Sequence, residues 1–229
     1  MTTKEQPNGK IEEQSPSQDA TAPAQSVNES RRRFGKSGLA ASGVILTLAS
    51  RPVLGCVCQS PSGFQSGNVS THGTPPPCSG RTPGYWQAPN KDWPGPYEIG
   101  TCNSKHPSSN HPLDWTKGTP FCNVFNCSNN GARYESACLP AKQGPCQQTS
   151  PLSLMQVLLL DGSHDPYQLG AHIVAALLNA SAGLTPVLTE QAVKTMFNEW
   201  AAKGYYEPSA GVKWYAEDIV TYLKTTMPY

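Results

Sequence analysis

All eight cysteines of this chain, Cys56, Cys58, Cys78, Cys102, Cys122, Cys127, Cys138 and Cys146, fall in its middle, and none follows Cys146. The chain is thereby divided into a stretch that covalent cross-links can hold and a stretch that must hold itself by burying apolar side chains. An even number of clustered cysteines points to disulfides, which persist only in an oxidising compartment. Eight of them allow on the order of a hundred pairings, and the sequence alone selects none. Spacing argues against a zinc or iron–sulfur site, because one residue separates Cys56 from Cys58, four separate Cys122 from Cys127, and no Cys-x2-Cys pair occurs.

An oxidising compartment requires export, and the residues ahead of the cysteines have the composition of a signal for it. Residues 1–29 are dominated by Gln, Ser, Pro, Asn, Glu and Thr. They hold too little apolar surface to offset chain entropy, so disorder is expected there. Arg31, Arg32, Arg33 and Lys36 follow, and then residues 37–50 carry no charge. A basic segment, an uncharged apolar core and small residues near a cleavage point make the pattern of an export signal. That core is too short for a membrane-spanning helix, which needs about 20 apolar residues.

Residues 30–36 resemble the twin-arginine translocation motif at Ser30, Arg31, Arg32, Phe34 and Lys36, with Gly35 where the motif usually has Leu. The mildly hydrophobic Gly, Ala and Ser core resembles that class as well. The resemblance implies the twin-arginine translocase as a partner during export. Two endings of the signal fit. Residues 48–50 offer small side chains to an ordinary peptidase, whereas residues 53–56 resemble a lipoprotein box in which Cys56 would carry a lipid and tie the protein to a membrane. From Cys56 onward ten Lys and Arg stand against eleven Asp and Glu, so the basic excess that a nucleic-acid binder uses is missing.

Residues 56–150 are rich in Pro, Gly, Ser, Asn and Thr, which predicts loops and short strands held by cross-links. Their densest window runs Cys78-Ser79-Gly80-Arg81-Thr82-Pro83-Gly84-Tyr85-Trp86 and continues through Trp93, Tyr97, Trp115, Phe121 and Phe125. Here the chain resembles a group of exported bacterial proteins of unassigned activity that carry C-S-G-R-x-P-G-Y-W, departing from them at Gln87, where they have Lys. The resemblance implies secretion and architecture. Gly84 ahead of two large rings predicts a turn closed to other residues, with Tyr85 and Trp86 presenting flat faces. Together with Arg81 and Trp93 they form a candidate contact surface for a sugar ring or another protein. The competing reading makes these rings the core of a module poor in aliphatics. His106, His111 and Asp114 have ligand types suited to copper or zinc and form the candidate metal set, with no His-Glu-x2-His pattern to support catalysis.

After residue 150 the composition turns to Leu, Ala, Val and Lys, and the spacing predicts helices near 151–160, 166–182, 189–203 and 212–226. Ser150-Pro151 and Asp165-Pro166 each place a capping residue before a first-turn proline, and Asp165 with Gln168 has the spacing of a capping box. Gly162, Gly183 and Gly204 sit past the first three helices, as helix-ending residues do. Val193, Met196, Phe197, Trp200 and Ala201 share one apolar face, and Tyr215, Ile219, Tyr222 and Leu223 share another. The second helix is apolar nearly all round and is expected at the centre, with His172 and Asn179 satisfied by backbone partners. Ser163-His164-Asp165 holds the residue types of a hydrolase triad, but consecutive side chains cannot converge as a triad requires.

The expected fold is mainly α with a large irregular disulfide-stapled part. It comprises a leader and signal over 1–55, a Cys-, Pro- and Gly-rich module over 56–150, and a small helical bundle over 151–229 packed with that module. The expected function is that of an exported envelope or extracellular protein with a structural, adhesive or assembly role, using no cofactor and meeting itself, a surface protein or a carbohydrate. The alternative is a secreted metal-binding protein or hydrolase using His106, His111 and Asp114.

Overall fold

The computed structural model describes residues 58–67, 77–104, 111–141 and 144–228. The leader, the signal motif of Arg31, Arg32, Phe34 and Lys36, Cys56 and His106 lie outside them. The described chain is rich in helix and carries three disulfides, Cys58–Cys78, Cys122–Cys127 and Cys138–Cys146. Cys102 forms no disulfide with any described cysteine, which removes it from the paired set among these residues.

The chain begins with a short helix, α1, over Pro61–Ser66, capped by the Ser60 hydroxyl, which accepts from the Gly63 amide. A single turn, α2, spans Pro83–Trp86. Strands β1 (Thr101–Cys102) and β2 (Trp115–Thr116) pair antiparallel, as do β3 (Ala137–Leu139) and β4 (Gln147–Thr149). Loops and 3-10 turns connect them, in keeping with a stretch built from turn residues.

Helix α3 covers Leu154–Leu158 and is shorter than the predicted 151–160. Its cap is Ser153, not Ser150: the Ser153 hydroxyl accepts from the Gln156 amide while the Gln156 side chain accepts from the Ser153 amide, a reciprocal capping box. Helix α4 spans Leu169–Ser181, and a 3-10 turn over Pro166–Gln168 precedes it. The predicted capping box of Asp165 with Gln168 does not form, because Tyr167 and Gln168 adopt left-handed backbone conformations, φ 65° and 59°, that break the helix there. Asp165 caps α4 from further back. Its carboxylate accepts from the Gly170 and Ala171 amides at 3.1 and 3.0 Å and from the Tyr134 hydroxyl at 2.6 Å. Gly170 permits this approach, since a Cβ there would lie 2.5 Å from the Tyr134 ring and 2.7 Å from Val157.

Helix α5, Glu190–Lys203, matches its prediction, capped by Thr189 and ended by Gly204 in the left-handed conformation. Its five expected core residues are all buried. The fourth predicted helix begins late. Residues Tyr206–Ser209 and Val212–Trp214 form a hairpin, β5 and β6, closed by Gly211 at φ 81°, and only then does α6 run over Ala216–Thr225. Tyr215, expected on the buried face, sits ahead of α6 and is 58% exposed, whereas Ile219, Tyr222 and Leu223 are buried.

One core unites the described residues. Phe121, Phe125 and Tyr134 from the Cys-rich stretch stack among one another and on Phe197 of α5, with ring centroids 4.7 to 5.6 Å apart. A second aromatic group joins the two ends: Phe64 of α1 packs edge-on against Trp214 and Tyr222, and Gln59 gives its carbonyl to the Tyr222 hydroxyl. The border expected at residue 150 is therefore crossed by packing throughout.

Candidate functional site

The Cys78–Trp86 motif docks on the end of α4, and five of its nine residues, Cys78, Ser79, Gly80, Arg81 and Trp86, fasten it there. Cys78 is covalently tied to Cys58, and both the amide and the hydroxyl of Ser79 donate to the Leu184 carbonyl. Gly80 passes so close to the Thr226 carbonyl that any Cβ would collide with it. Asn179, buried completely in α4, accepts from the Arg81 amide and donates to the Arg81 carbonyl, and its oxygen also accepts from the Trp86 indole at 3.1 Å. An asparagine amide thus stands in for a strand partner, pairing with both backbone groups of Arg81.

That arrangement corrects two expectations. Trp86 is buried, 4% exposed, with its ring against the core and its N–H on Asn179, so it presents no face to a partner. Gly84 is an ordinary helical residue of α2 with open space around its Cβ position, and the glycine that the motif requires is Gly80. Asn179 finds its partners in the Arg81 backbone, and His172 finds one in the Gln168 carbonyl at 2.8 Å, both as expected of buried polar side chains.

Tyr85 stays partly exposed. Its ring meets Trp86 edge-on at 5.0 Å and carries two cations, the Arg81 guanidinium at 5.2 Å and the Lys91 ammonium at 4.5 Å from its centroid. Lys91 leads to a groove of about 490 Å³ lined by Lys91, Asp92, Trp93, Tyr97, Glu98 and Lys117, among others. Its two aromatic residues are fixed from behind. The Trp93 indole donates to the Trp86 carbonyl at 3.2 Å, and the Tyr97 hydroxyl donates to Glu190 at 2.5 Å. Burial and that carboxylate push the Tyr97 hydroxyl well above its usual pKa. Burial alone would raise Glu190, but the Tyr97 and Ser181 hydroxyls and the Lys194 ammonium outweigh it and hold its carboxyl low. Of the predicted contact residues, then, Arg81 shares the Tyr85 ring with Lys91, Trp93 lines the adjoining groove, and Trp86 is buried beneath Tyr85. Lys91 and Lys117 were not singled out by the sequence, in which isolated lysines on turns have no pattern of their own.

Of the predicted metal set, His111 and Asp114 stand at the two ends of one 3-10 turn. His111 caps the 3-10 turn Pro112–Asp114, its Nδ1 accepting from the Leu113 amide at 3.3 Å. Asp114 ends the same turn, and His106 lies outside the described residues. Among the described residues, no three His, Cys, Asp or Glu side chains form a group that could hold a metal ion.

A polar cluster does form at residues 161–164. The Asp161 carboxylate takes hydrogen bonds from the Ser163 hydroxyl at 2.5 Å and from the amides of Ser163 and His164, and it lies 2.8 Å from His164 Nδ1. The Ser163 bond first, and then His164, hold its carboxyl down at about 2. His164 Nε2 sits 3.0 Å from the Cys138 carbonyl, so both imidazole nitrogens are engaged. Serine and aspartate crowd the same nitrogen, whereas a hydrolase places them on opposite ones. The cluster ties the disulfide-closed β3–β4 hairpin to the turn before α4.

Among the described residues, no helix is long and apolar enough to cross a membrane. The chain matches no family model, no curated protein and no solved structure.

Proposed function

We propose that this chain is an exported protein of the cell envelope or extracellular space that acts by contact, with a structural, adhesive or assembly role. The observation that carries the reading is the set of three disulfides tying the loop-rich stretch that follows the signal-like segment. Such bonds persist where the surroundings are oxidising, and they hold a stretch of turns that has few aliphatic side chains of its own. The likeness of residues 30–36 to a twin-arginine motif, and of residues 78–86 to exported bacterial proteins, supports the same reading. The contact surface is the partly exposed group of Arg81, Tyr85, Lys91 and Trp93, held rigid by Trp86 and Asn179.

Fractionation tests the reading. The full chain with a C-terminal tag, expressed in a bacterium that has the twin-arginine translocase, is expected in the periplasm or medium in a shortened form. The double substitution Arg31→Lys with Arg32→Lys is expected to hold it in the cytoplasm at full length. A full-length cytoplasmic product from the unsubstituted chain overturns the reading.

A further inference from the structure

We infer that the groove beside Trp93 binds a neutral saccharide, an inference that rests on the contact function proposed above. Its aromatic wall is the partly exposed Trp93, already ordered because its indole N–H is held by the Trp86 carbonyl, with the buried Tyr97 fixed behind it. A pyranose ring stacking its C–H groups on Trp93 would meet a side chain whose rotamer freedom was lost on folding and is not lost again on binding.

The rim supplies the polar half of the chemistry. Lys91 and Lys117 offer donors, and Asp92 and Glu98 offer acceptors. The ion pairs among the described residues join Asp161 to His164, Glu190 to Lys194 and Glu199 to Lys203, so none of these four rim groups is committed to another charge. Two cations and two carboxylates balance, which gives an anionic polymer no net attraction. A sugar hydroxyl both donates and accepts, so a neutral polyhydroxylated ring can satisfy both kinds of rim group at once. An apolar side chain entering the groove would desolvate the same groups and return no hydrogen bond to them. The groove volume, about 490 Å³, falls within the range of roughly 300–1,000 Å³ typical of small-molecule sites.

Calorimetric titration of the mature protein with malto-, cello-, xylo-, manno- and chito-hexaose tests the inference. At least one is expected to bind one-to-one with an affinity that is the same at about 50 mM and about 500 mM salt. Asp92 and Glu98 are exposed, so the double substitution Asp92→Ala with Glu98→Ala is expected to keep the melting temperature and weaken binding about tenfold or more. No binding by any hexaose, binding that survives the double substitution, or tighter and salt-sensitive binding of oligogalacturonate each overturns it. A protein that is exported and binds none of these sugars sinks the saccharide inference alone, whereas a protein that is not exported sinks the contact reading whatever it binds.

Discussion

Asn179 pairs with both backbone groups of Arg81, its Oδ1 2.8 Å from the Arg81 amide nitrogen and its Nδ2 2.8 Å from the Arg81 carbonyl oxygen. With the Trp86 indole N–H this makes three groups, nearly a hundred residues earlier in the chain, that one side chain pairs with. Replacing it by Leu removes all three hydrogen bonds and is expected to cost roughly 2–4 kcal/mol. Asn179→Asp keeps the acceptor but sets a carboxylate against the Arg81 carbonyl, and a loss of at least about 1 kcal/mol is expected. Urea unfolding followed by tryptophan fluorescence measures both, and a midpoint unchanged in Asn179→Leu would contradict the docking role.

The two glycines of the motif should respond in opposite ways. A methyl at Gly80 collides with the Thr226 carbonyl and crowds Asn179 and Thr185, so Gly80→Ala is expected to destabilise by roughly 2–4 kcal/mol. At Gly84 the nearest atom to a Cβ is the Thr82 hydroxyl at 4.0 Å, and the backbone is helical. Gly84→Ala is therefore expected to be neutral or to stabilise by up to about 1 kcal/mol. Thermal melts of the two variants side by side decide the matter.

The ease of these assignments differs along the chain for physical reasons. The apolar face of α5 and the existence of α3 and α4 were legible, because burial on one side of a helix writes a 3.6-residue period into the sequence. The hairpin Tyr206–Trp214 was hidden because its strands are three or four residues long, too short for alternation to outcompete the helical spacing that follows. Of the candidate contact residues, Arg81, Tyr85 and Trp93 were singled out through a local motif. The groove rim was not, since Lys117 joins Lys91 only through the pairing of β1 with β2. Trp86 was misplaced because an aromatic in a loop-rich stretch has the same sequence signature whether it faces solvent or core.

A pH dependence follows from His172. Burial is the largest influence on it and lowers its pKa below the usual 6.5, with Lys224 acting the same way and the Gln168 carbonyl and Asp165 acting against. A depressed folded pKa means that the unfolded chain binds the proton more readily. The stability contribution is therefore complete above 6.5 and is lost as pH falls from there through the folded pKa. Asp165, raised chiefly by burial, acts in the opposite sense, its contribution declining as pH rises above the unfolded carboxylate range. Comparing the protein with His172→Leu isolates the first effect. The difference in unfolding free energy between them should shrink with acidification below pH 6.5, at no more than about 1.4 kcal/mol per pH unit. A difference that is flat across this range would rule it out.

Residues 151–229 should not fold by themselves, although they contain no cysteine. Without the Cys-rich stretch, Phe197 loses Phe121, Phe125 and Tyr134, and Asp165 loses the Tyr134 hydroxyl. The isolated segment is expected to show helical circular dichroism at most, with no cooperative melt and no amide protection beyond local helix. A sharp thermal transition in that segment would show that the helices fold without the rest.

The Cys58–Cys78 bridge closes a loop of 20 residues, for which loop-closure entropy amounts to about 3 kcal/mol. The paired substitution Cys58→Ser with Cys78→Ser should lower stability by that order, and peptide mapping of the unreduced protein should recover the three linkages described.

That same bridge also sets a stand-off distance. Cys58 is pinned to Cys78, and the next residue, Gln59, is bonded to Tyr222. The body of the protein therefore begins two residues after Cys56, a reach of about 7 Å at full extension. Were Cys56 to carry a lipid, α1 and the β5–β6 hairpin packed against it would lie flush with the headgroups, and the protein would sit on the bilayer with one fixed side down. Were the signal instead removed after Ser50, Cys56 would carry no lipid, and no side of the protein would be favoured. The place of one cleavage thus decides whether this molecule has an orientation.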